Sequence, residues 1–492
     1  MNILFVYPPC PDTFWNLRYA LKFISKKALL PPLGLLTVAA MLPKYWHKKL
    51  VDMTIDPLTD EDIIWADYVF ISAMHIHRDA AEKVIARCKS LGAKIVAGGP
   101  LFTTEYDRFD LVDHLVLNEA EVTLPLFLHD LQNGCARHIY TSGRKADITE
   151  TPIPVWELID MKKYACMPVQ YSRGCPFNCS FCDVTVLFGN KTRAKTSPQF
   201  LAELDSLYSH GWTDQVFIVD DNFIGSKKPL KNDVLPPLIQ WQHRKGRPFA
   251  FTTQTSINLC QDDELMDMMV NAGFEAVFIG VETPNDKAFE ECDKLQNKNR
   301  DLIGCVKKIQ QRGLQVQAGF ILGFDSDDAS IFEKLINFIQ TSGIVMAMVG
   351  LLNVPKATRL YTRLAKENRL LGDSCGNNTD LTLNFIPKMD PAALIAGYTK
   401  VVHTIYSHRF YHQRILKLLK NYRPLPKTRR RVNAADIKTL LRSIWFLGLR
   451  GTGKNCYWKL LFWTLFHCPE NTRLAVTLAA YGFHFRKMFS TY

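Results

Sequence analysis

The chain has 492 residues, a formal net charge of +12, and 47% hydrophobic against 22% charged residues. That composition excludes collagen-like, disordered and small disulfide-scaffold proteins, and at about 150 residues per domain it predicts roughly three domains. The charge is uneven: residues 409–492 carry 17 Lys and Arg against two acids, a net +15, whereas the remainder carries 43 against 46, so a near-neutral body is joined to a basic tail.

The N-terminal stretch has no basic leader and no small-residue cleavage site, and reads as a strand and turn. No run of 18 apolar residues occurs, so a cytoplasmic protein without a spanning helix is expected. Residues 2–7, 50–55, 68–73, 94–97 and 114–117 read as strands, and 33–42, 79–90 and 122–131 as helices. In the helix 79–90, Ala80, Val84, Ile85 and Cys88 form the apolar face. Strand–helix alternation with short turns implies a parallel sheet covered on both faces. Five strands within residues 1–135 suit a flavodoxin-like doubly wound domain.

Residues 136–165 read as a linker, with Thr151-Pro-Ile-Pro154 as an extended breaker. A second alternating series fills 166–390. Its strands are 168–171, 215–219, 249–253, 276–280, 315–322 and 344–351, and its helices include 199–210, 262–272, 301–312 and 329–341. Six strands, each followed by a helix or loop, describe a partial (β/α)6 barrel. Asp220, Asp221, Gln254, Glu282 and Asp325 fall at strand C-terminal ends, where such barrels build active sites. Residues 391–492 form a helical, basic extension. It has helices at 392–406 and 411–419, a proline-broken basic hinge at 421–432, and a last stretch containing Trp445, Trp458 and Trp463.

Ten of the 13 cysteines are dispersed and read as small buried hydrophobes or surface thiols. Cys175, Cys179 and Cys182 instead share one loop directly after a strand, spaced C-x3-C-x2-C. Three thiolates there can bind three irons of a [4Fe–4S] cluster and leave the fourth iron open to a small chelating molecule. Zinc, the competing occupant, takes four N or S ligands, and no nearby Cys or His pair completes a set.

The loop Tyr171-Ser-Arg-Gly-Cys175-Pro-Phe-Asn-Cys179-Ser-Phe181-Cys182 resembles the hallmark of the radical S-adenosylmethionine (SAM) superfamily. The resemblance implies that Cys175, Cys179 and Cys182 hold the cluster and that the amino and carboxylate groups of SAM take the open iron. One-electron cleavage to a 5′-deoxyadenosyl radical would follow. Phe181 matches the family's aromatic residue before the third cysteine. Asp220 and Asp221 stand where the family usually has Gly-Gly-Glu for the SAM amino group. Which of the two contacts SAM stays open, and the plain alternative is a pair capping the next helix. Glu282 falls where an acid binds the ribose hydroxyls. Gly319 and Gly323 fall where the backbone approaches adenine.

A doubly wound domain ahead of such a barrel resembles the cobalamin-binding subclass. The residues implied to contact cobalamin are Pro8 and Pro9 after the first strand, Gly34 at a helix start, Gly98 and Gly99 after the fourth strand, and Glu119 after the fifth. A ligand-free Rossmann-like domain is the alternative. No G-x-G-x-x-G follows the first strand, which argues against NAD. That loop also lacks histidine, so no protein imidazole is expected below cobalt. Phe14, Trp15 and Arg18 lie where they would cover that face, unless they are ordinary core or surface residues.

Two tail features need separate readings. Gly448-Leu-Arg-Gly-Thr-Gly453-Lys454-Asn455 nearly matches a phosphate-binding loop, but Asn455 replaces the metal-binding Ser or Thr and no α/β domain follows. The basic, Trp-rich stretch 433–492 suits either a helical cap or peripheral contact with an anionic membrane; nucleic acid is not expected. Over residues 1–420 the chain resembles a bacterial family that includes hopanoid C2-methylating enzymes, through 26–40, Val219–Gly225 (VDDNFIG) and Gly319–Asp325 (GFILGFD). The resemblance implies methylation of an unactivated carbon of a small-molecule or lipid substrate. A flavodoxin or ferredoxin would supply electrons. Cyclisation or rearrangement without methyl transfer, and a cobalamin-binding sensor, are the other readings.

Overall fold

The computed structural model describes residues 1–377, 379–424 and 434–490. It divides into two compact units, each built from several chain segments. The first comprises Met1–Pro11, Leu30–Asn222 and Asn353–Asn377; the second comprises Asp12–Leu29, Phe223–Leu352 and Asn378–Tyr492.

The first unit is organised around a six-stranded parallel sheet. Its strands are β1 (Asn2–Tyr7), β2 (His47–Asp52), β3 (Tyr68–Ser72), β4 (Ile95–Gly98), β5 (His114–Val116) and β6 (Ile139–Tyr140), in the order β2-β1-β3-β4-β5-β6. Strand side chains alternate between faces, and two separate apolar cores result. Leu4, Val6, Val69, Ile71, Ile95 and Ala97 pack on Ala81, Val84, Ile85 and Cys88 of helix Arg78–Ser90. Ile3, Phe5, Phe70 and Val96 pack on Leu35 and Ala39 of helix Leu33–Met41, and on Leu124 and Phe127 of helix Ala120–Gln132. The doubly wound fold is thus the expected one. Ala81, not Ala80, heads the buried face of the 78–90 helix. The sixth strand lies inside the stretch expected to be a linker.

The same unit holds the start of the second series. Strand β7 (Met167–Val169) is followed by an antiparallel ribbon, β8 (Ser172–Arg173) with β9 (Arg193–Ala194), and β10 (Gln215–Ile218) pairs in parallel with β7. Thr196 caps helix Ser197–Ser209, its hydroxyl accepting from Gln199 N at 3.3 Å.

The second unit contains the parallel strands β11 (Ala250–Thr255), β12 (Phe274–Glu282), β13 (Gln315–Leu322) and β14 (Ala347–Leu351). Asp262 and Asp301 cap the helices Asp263–Asn271 and Leu302–Gln311 through Leu265 N and Gly304 N. Within this unit the four strands pair in chain order. Helices Pro391–Tyr406, His408–Asn421, Ala434–Ser443, Lys454–His467 and Thr472–Phe489 complete this unit. Tyr406 Oη donates to Ala347 O of β14 at 2.7 Å, so the first of these helices is tied directly to the sheet. Most of the hinge expected at 421–432 lies outside the described residues.

Cys260 and Cys305, read as single cysteines, form a disulfide with their Cα atoms 5.2 Å apart. Their separation of 45 residues leaves no local spacing signal. Among the described residues no helix is long and apolar enough to cross a membrane.

Candidate active site

The three cysteines occupy the loop that leaves the β8 strand. Gly174 sits in the left-handed region at φ 87°, and a Cβ there would lie 2.6 Å from Lys191 O. Only glycine can make this turn without displacing backbone. Cys175 N donates to Gly189 O, and Cys182 N closes a turn onto Cys179 O at 3.2 Å. Asn222 Nδ2 reaches Cys175 Sγ at 3.9 Å, and burial pushes the Cys175 thiol up. Among the described residues no three His, Cys, Asp or Glu side chains converge on a single-ion site. A cubane cluster takes each thiolate on a different iron, so the loop's three soft donors fit it without converging on one point.

The two aspartates turn back onto this loop. Asp220 is fully buried. Its Oδ1 accepts from Tyr171 N at 2.8 Å, and its Oδ2 from Ser172 N at 2.7 Å and Ser172 Oγ at 2.5 Å. Asp221 is half-buried and receives Gly174 N on Oδ2 at 3.2 Å. Burial pushes Asp220 up to about 7 and Asp221 up to about 6. Neither aspartate caps the following helix. Phe181 lies half-buried within the same loop.

The segment 353–377 returns to this unit and pins two of its loops. Leu360 N donates to Ser180 O at 2.9 Å, and the Arg359 guanidinium donates to Asn178 O. Ser374 O and Asp373 accept from Arg78 and Arg108. Gly376 packs so closely on His75 that a Cβ would lie 2.7 Å from the His75 Cβ. In the same region His77, ring to ring with Tyr7 at 4.8 Å, is pushed down to about 4 by burial.

Within the chain, Glu119 is held by two arginines and a backbone N–H. Its Oε1 accepts from Arg173 Nη1 at 3.0 Å and Arg193 Nη1 at 2.9 Å, and its Oε2 from Ala146 N at 3.0 Å. Glu121 receives Arg173 through both oxygens, at 2.7 and 3.0 Å, and also the Thr151 hydroxyl at 2.7 Å. These acids follow β5, whereas Arg173 sits two residues before Cys175. The network therefore latches the loop after β5 to the cysteine loop. Charge-assisted, bidentate pairs of this kind fix geometry as well as charge.

The remaining predicted residues take these places. Pro8 is buried and Pro9 half-buried after β1. Gly34 opens helix Leu33–Met41 with nothing within 4 Å of its would-be Cβ. Gly98 and Gly99 are demanded by the chain itself: a Cβ would fall 2.6 Å from Val116 O and 2.7 Å from Ser72 Oγ respectively. In the second unit, Glu282 ends β12 at φ 67°, beside a register shift, and pairs with Lys294 Nζ at 2.5 Å. A Cβ on Gly319 would lie 3.0 Å from Phe278 Cζ, and one on Gly323 3.1 Å from Leu394 Cδ2. Trp15 meets Phe278 edge-on at 5.0 Å and stays part-exposed. Phe14 is core, the alternative reading of that loop, stacked on Phe485 at 4.2 Å. Arg18 pairs with Asp12 at 2.9 Å. The near-match to a phosphate loop is a packing motif: Gly448 lies against Tyr457 and Trp458, and Gly453 against the His408 ring.

Sequence reading missed Arg173, Arg193, Glu121 and Asn222. The one available signal was a pair of acids spaced by two after a strand, facing an Arg just before the cysteines.

Comparison with known proteins places these features. The B12 binding domain family matches residues 23–128, the Radical SAM superfamily residues 169–339, and a domain of unknown function (DUF4070) residues 358–492. An uncharacterised methyltransferase of Synechocystis sp. is 40% identical, over 99% of this chain and 91% of that protein. The hopanoid C-2 methylase of Rhodopseudomonas palustris is 31% identical, over 98% of this chain and 92% of its own. TsrM from Kitasatospora setae, a radical SAM methyltransferase solved with cobalamin and a [4Fe–4S] cluster bound, matches with a TM-score of 0.63 at 14% identity over 98% of both chains. The cobalamin-dependent enzyme OxsB, solved with aqua-cobalamin and SAM, also matches at 0.63, with 13% identity over 100% of this chain and 80% of that one. At such identities the two structures show a shared fold.

Proposed function

We propose, from the premise that the chain belongs to the cobalamin-dependent radical SAM methyltransferase family, that it methylates an unactivated carbon of a small-molecule or lipid substrate. The observation that carries this is the Arg173 latch. It joins the cysteine loop to the strand ends of the doubly wound sheet within one compact unit. When bound, the cluster and SAM supply a 5′-deoxyadenosyl radical and cobalamin supplies the methyl group. The design answers an energetic difficulty: an sp³ C–H is not acidic enough for removal by a general base.

The chain's own residues position and shield. Cys175, Cys179 and Cys182 hold the cluster, and Asn222 places a hydrogen-bond donor on the Cys175 sulfur. Asp220 spends both oxygens on the loop backbone, so Asp221 is the residue we assign to the SAM ammonium. Glu282, already neutralised by Lys294, suits neutral ribose hydroxyls better than a cation. Pro8, Pro9 and Gly34 offer cobalamin a smooth approach beyond the strand ends. Glu119 acts in the latch instead.

Identity to a hopanoid C-2 methylase makes a polycyclic lipid the first substrate to try. We further assign electron supply to a flavodoxin or ferredoxin and a peripheral membrane contact to residues 433–492. The test is anaerobic reconstitution with iron, sulfide and cobalamin, followed by SAM and reductant. Both 5′-deoxyadenosine and S-adenosylhomocysteine should form, and Cys179→Ala should abolish the first. 5′-Deoxyadenosine without S-adenosylhomocysteine would replace methyl transfer with a rearrangement. Unchanged lipids in a deletion strain would remove the lipid assignment.

A further inference from the structure

We propose that the outer face of helix Lys454–His467 seats the protein on an anionic bilayer surface. This locates on one helix the membrane contact read above for residues 433–492, and it rests on that reading. The helix is apolar around most of its circumference but covered on one side only. Tyr457, Leu460, Leu461 and Thr464 face the protein, while Phe462, Leu465 and Phe466 are exposed, Phe466 by 81%. The adjoining turn Ile444–Leu449 packs on the first turns of this helix, with Trp458 Nε1 donating to Gly448 O at 3.0 Å, and adds exposed Trp445. Eight of the 22 large apolar side chains exposed among the described residues fall within 437–466. Such a concentration marks an interaction surface, whereas scattered exposed apolar groups need no explanation.

Charge identifies the occupant. Cations accompany the aromatic rings: Lys420 Nζ lies 5.9 Å from the Trp463 ring centre and the Arg450 guanidinium 4.5 Å from that of Trp445. Lys459 lines a groove of about 660 Å³ together with Trp458, Phe462 and Trp463. Rings with a polar edge, flanked by Lys and Arg, suit the headgroup zone of a bilayer. A second copy of this chain would bring one +15 segment against another, whereas anionic lipid neutralises it. With no helix among the described residues long and apolar enough to span, the geometry is that of a helix lying in the interface plane.

The test uses the full-length protein with vesicles of phosphatidylcholine alone or with about 30 mol% phosphatidylglycerol. Cosedimentation should favour the anionic vesicles about tenfold and weaken with salt. The double variant Phe462→Ser/Phe466→Ser should lose about tenfold of that binding while keeping the wild-type melting curve. Equal binding to both vesicles, or undiminished binding of the variant, would overturn the proposal. So would a wild-type dimer in sedimentation equilibrium that the variant dissolves, since it would assign the face to a second copy. Neither phenylalanine lies in the reaction machinery, so vesicle-free formation of 5′-deoxyadenosine and S-adenosylhomocysteine should match wild type. Failure of docking and failure of the methyl-transfer reading are thereby read separately.

Discussion

The loops after β5 and β10 each carry two carboxylates at the end of a parallel strand, and the protein treats the pairs in opposite ways. Glu119 and Glu121 receive guanidinium groups. Asp220 and Asp221 receive backbone N–H groups and one hydroxyl. The Arg173 hydrogen bonds and charge outweigh burial and hold Glu121 down to about 2, whereas at Asp220 burial wins and carries it to about 7. Position on the strand therefore does not decide what an acid does; the charge of its partner does. One pair is a permanent ionic latch. The other holds a backbone turn, with an affinity for protons close to neutrality.

Arg173 is where the two pairs differ most. Arg173→Ala leaves Glu121 without its cation and Glu119 with Arg193 alone, and should destabilise the protein by about 3–5 kcal/mol in denaturant unfolding. A loss under about 1 kcal/mol would mean that the latch carries little. Next come pH slopes of opposite sign. Glu121, held at about 2, binds fewer protons folded than unfolded. Its contribution is complete above about pH 4.5 and disappears as the pH falls toward 2. Asp220 binds more protons folded than unfolded between about pH 4 and 7, so stability falls as pH rises through that range. The first slope is worth roughly 3 kcal/mol and the second roughly 4. Arg173→Gln should flatten the acid limb, and Asp220→Asn the neutral one, in unfolding series across pH. A smaller effect follows from Asp220→Asn at fixed pH. The amide keeps the shape but turns one acceptor into a donor against a backbone N–H, costing about 1–2 kcal/mol and lowering the iron content after reconstitution. Smallest is Thr151→Val, which removes one hydroxyl from Glu121. It should cost about 1 kcal/mol or less and leave the acid slope in place, because Arg173 remains.

Much of the fold was legible because it is locally encoded. Residues 315–322 form the strand their pattern predicts, and the helices of both series fall within a few residues of expectation. Strand β6 escaped because Ile139–Tyr140 is too short to show a period. The cysteine loop was legible because its three cysteines lie within eight residues. The latch was not: Arg173 and Glu121 are 52 residues apart, and only tertiary folding joins them. Gly98 and Gly99 carry another lesson. In sequence a glycine does not say which neighbour needs its bare Cα, and in the fold Val116 O and Ser72 Oγ lie where the two Cβ atoms would fall.

The returning segment 353–377 has a consequence in time. Asn178 and Arg359, whose contact pins the cysteine loop, are 181 residues apart. A ribosome adding about 5–20 residues per second needs roughly 10–40 s to make that interval. Throughout it the nascent cysteine loop exists without its clasp. The order of synthesis thus leaves the loop open first and fastened afterwards.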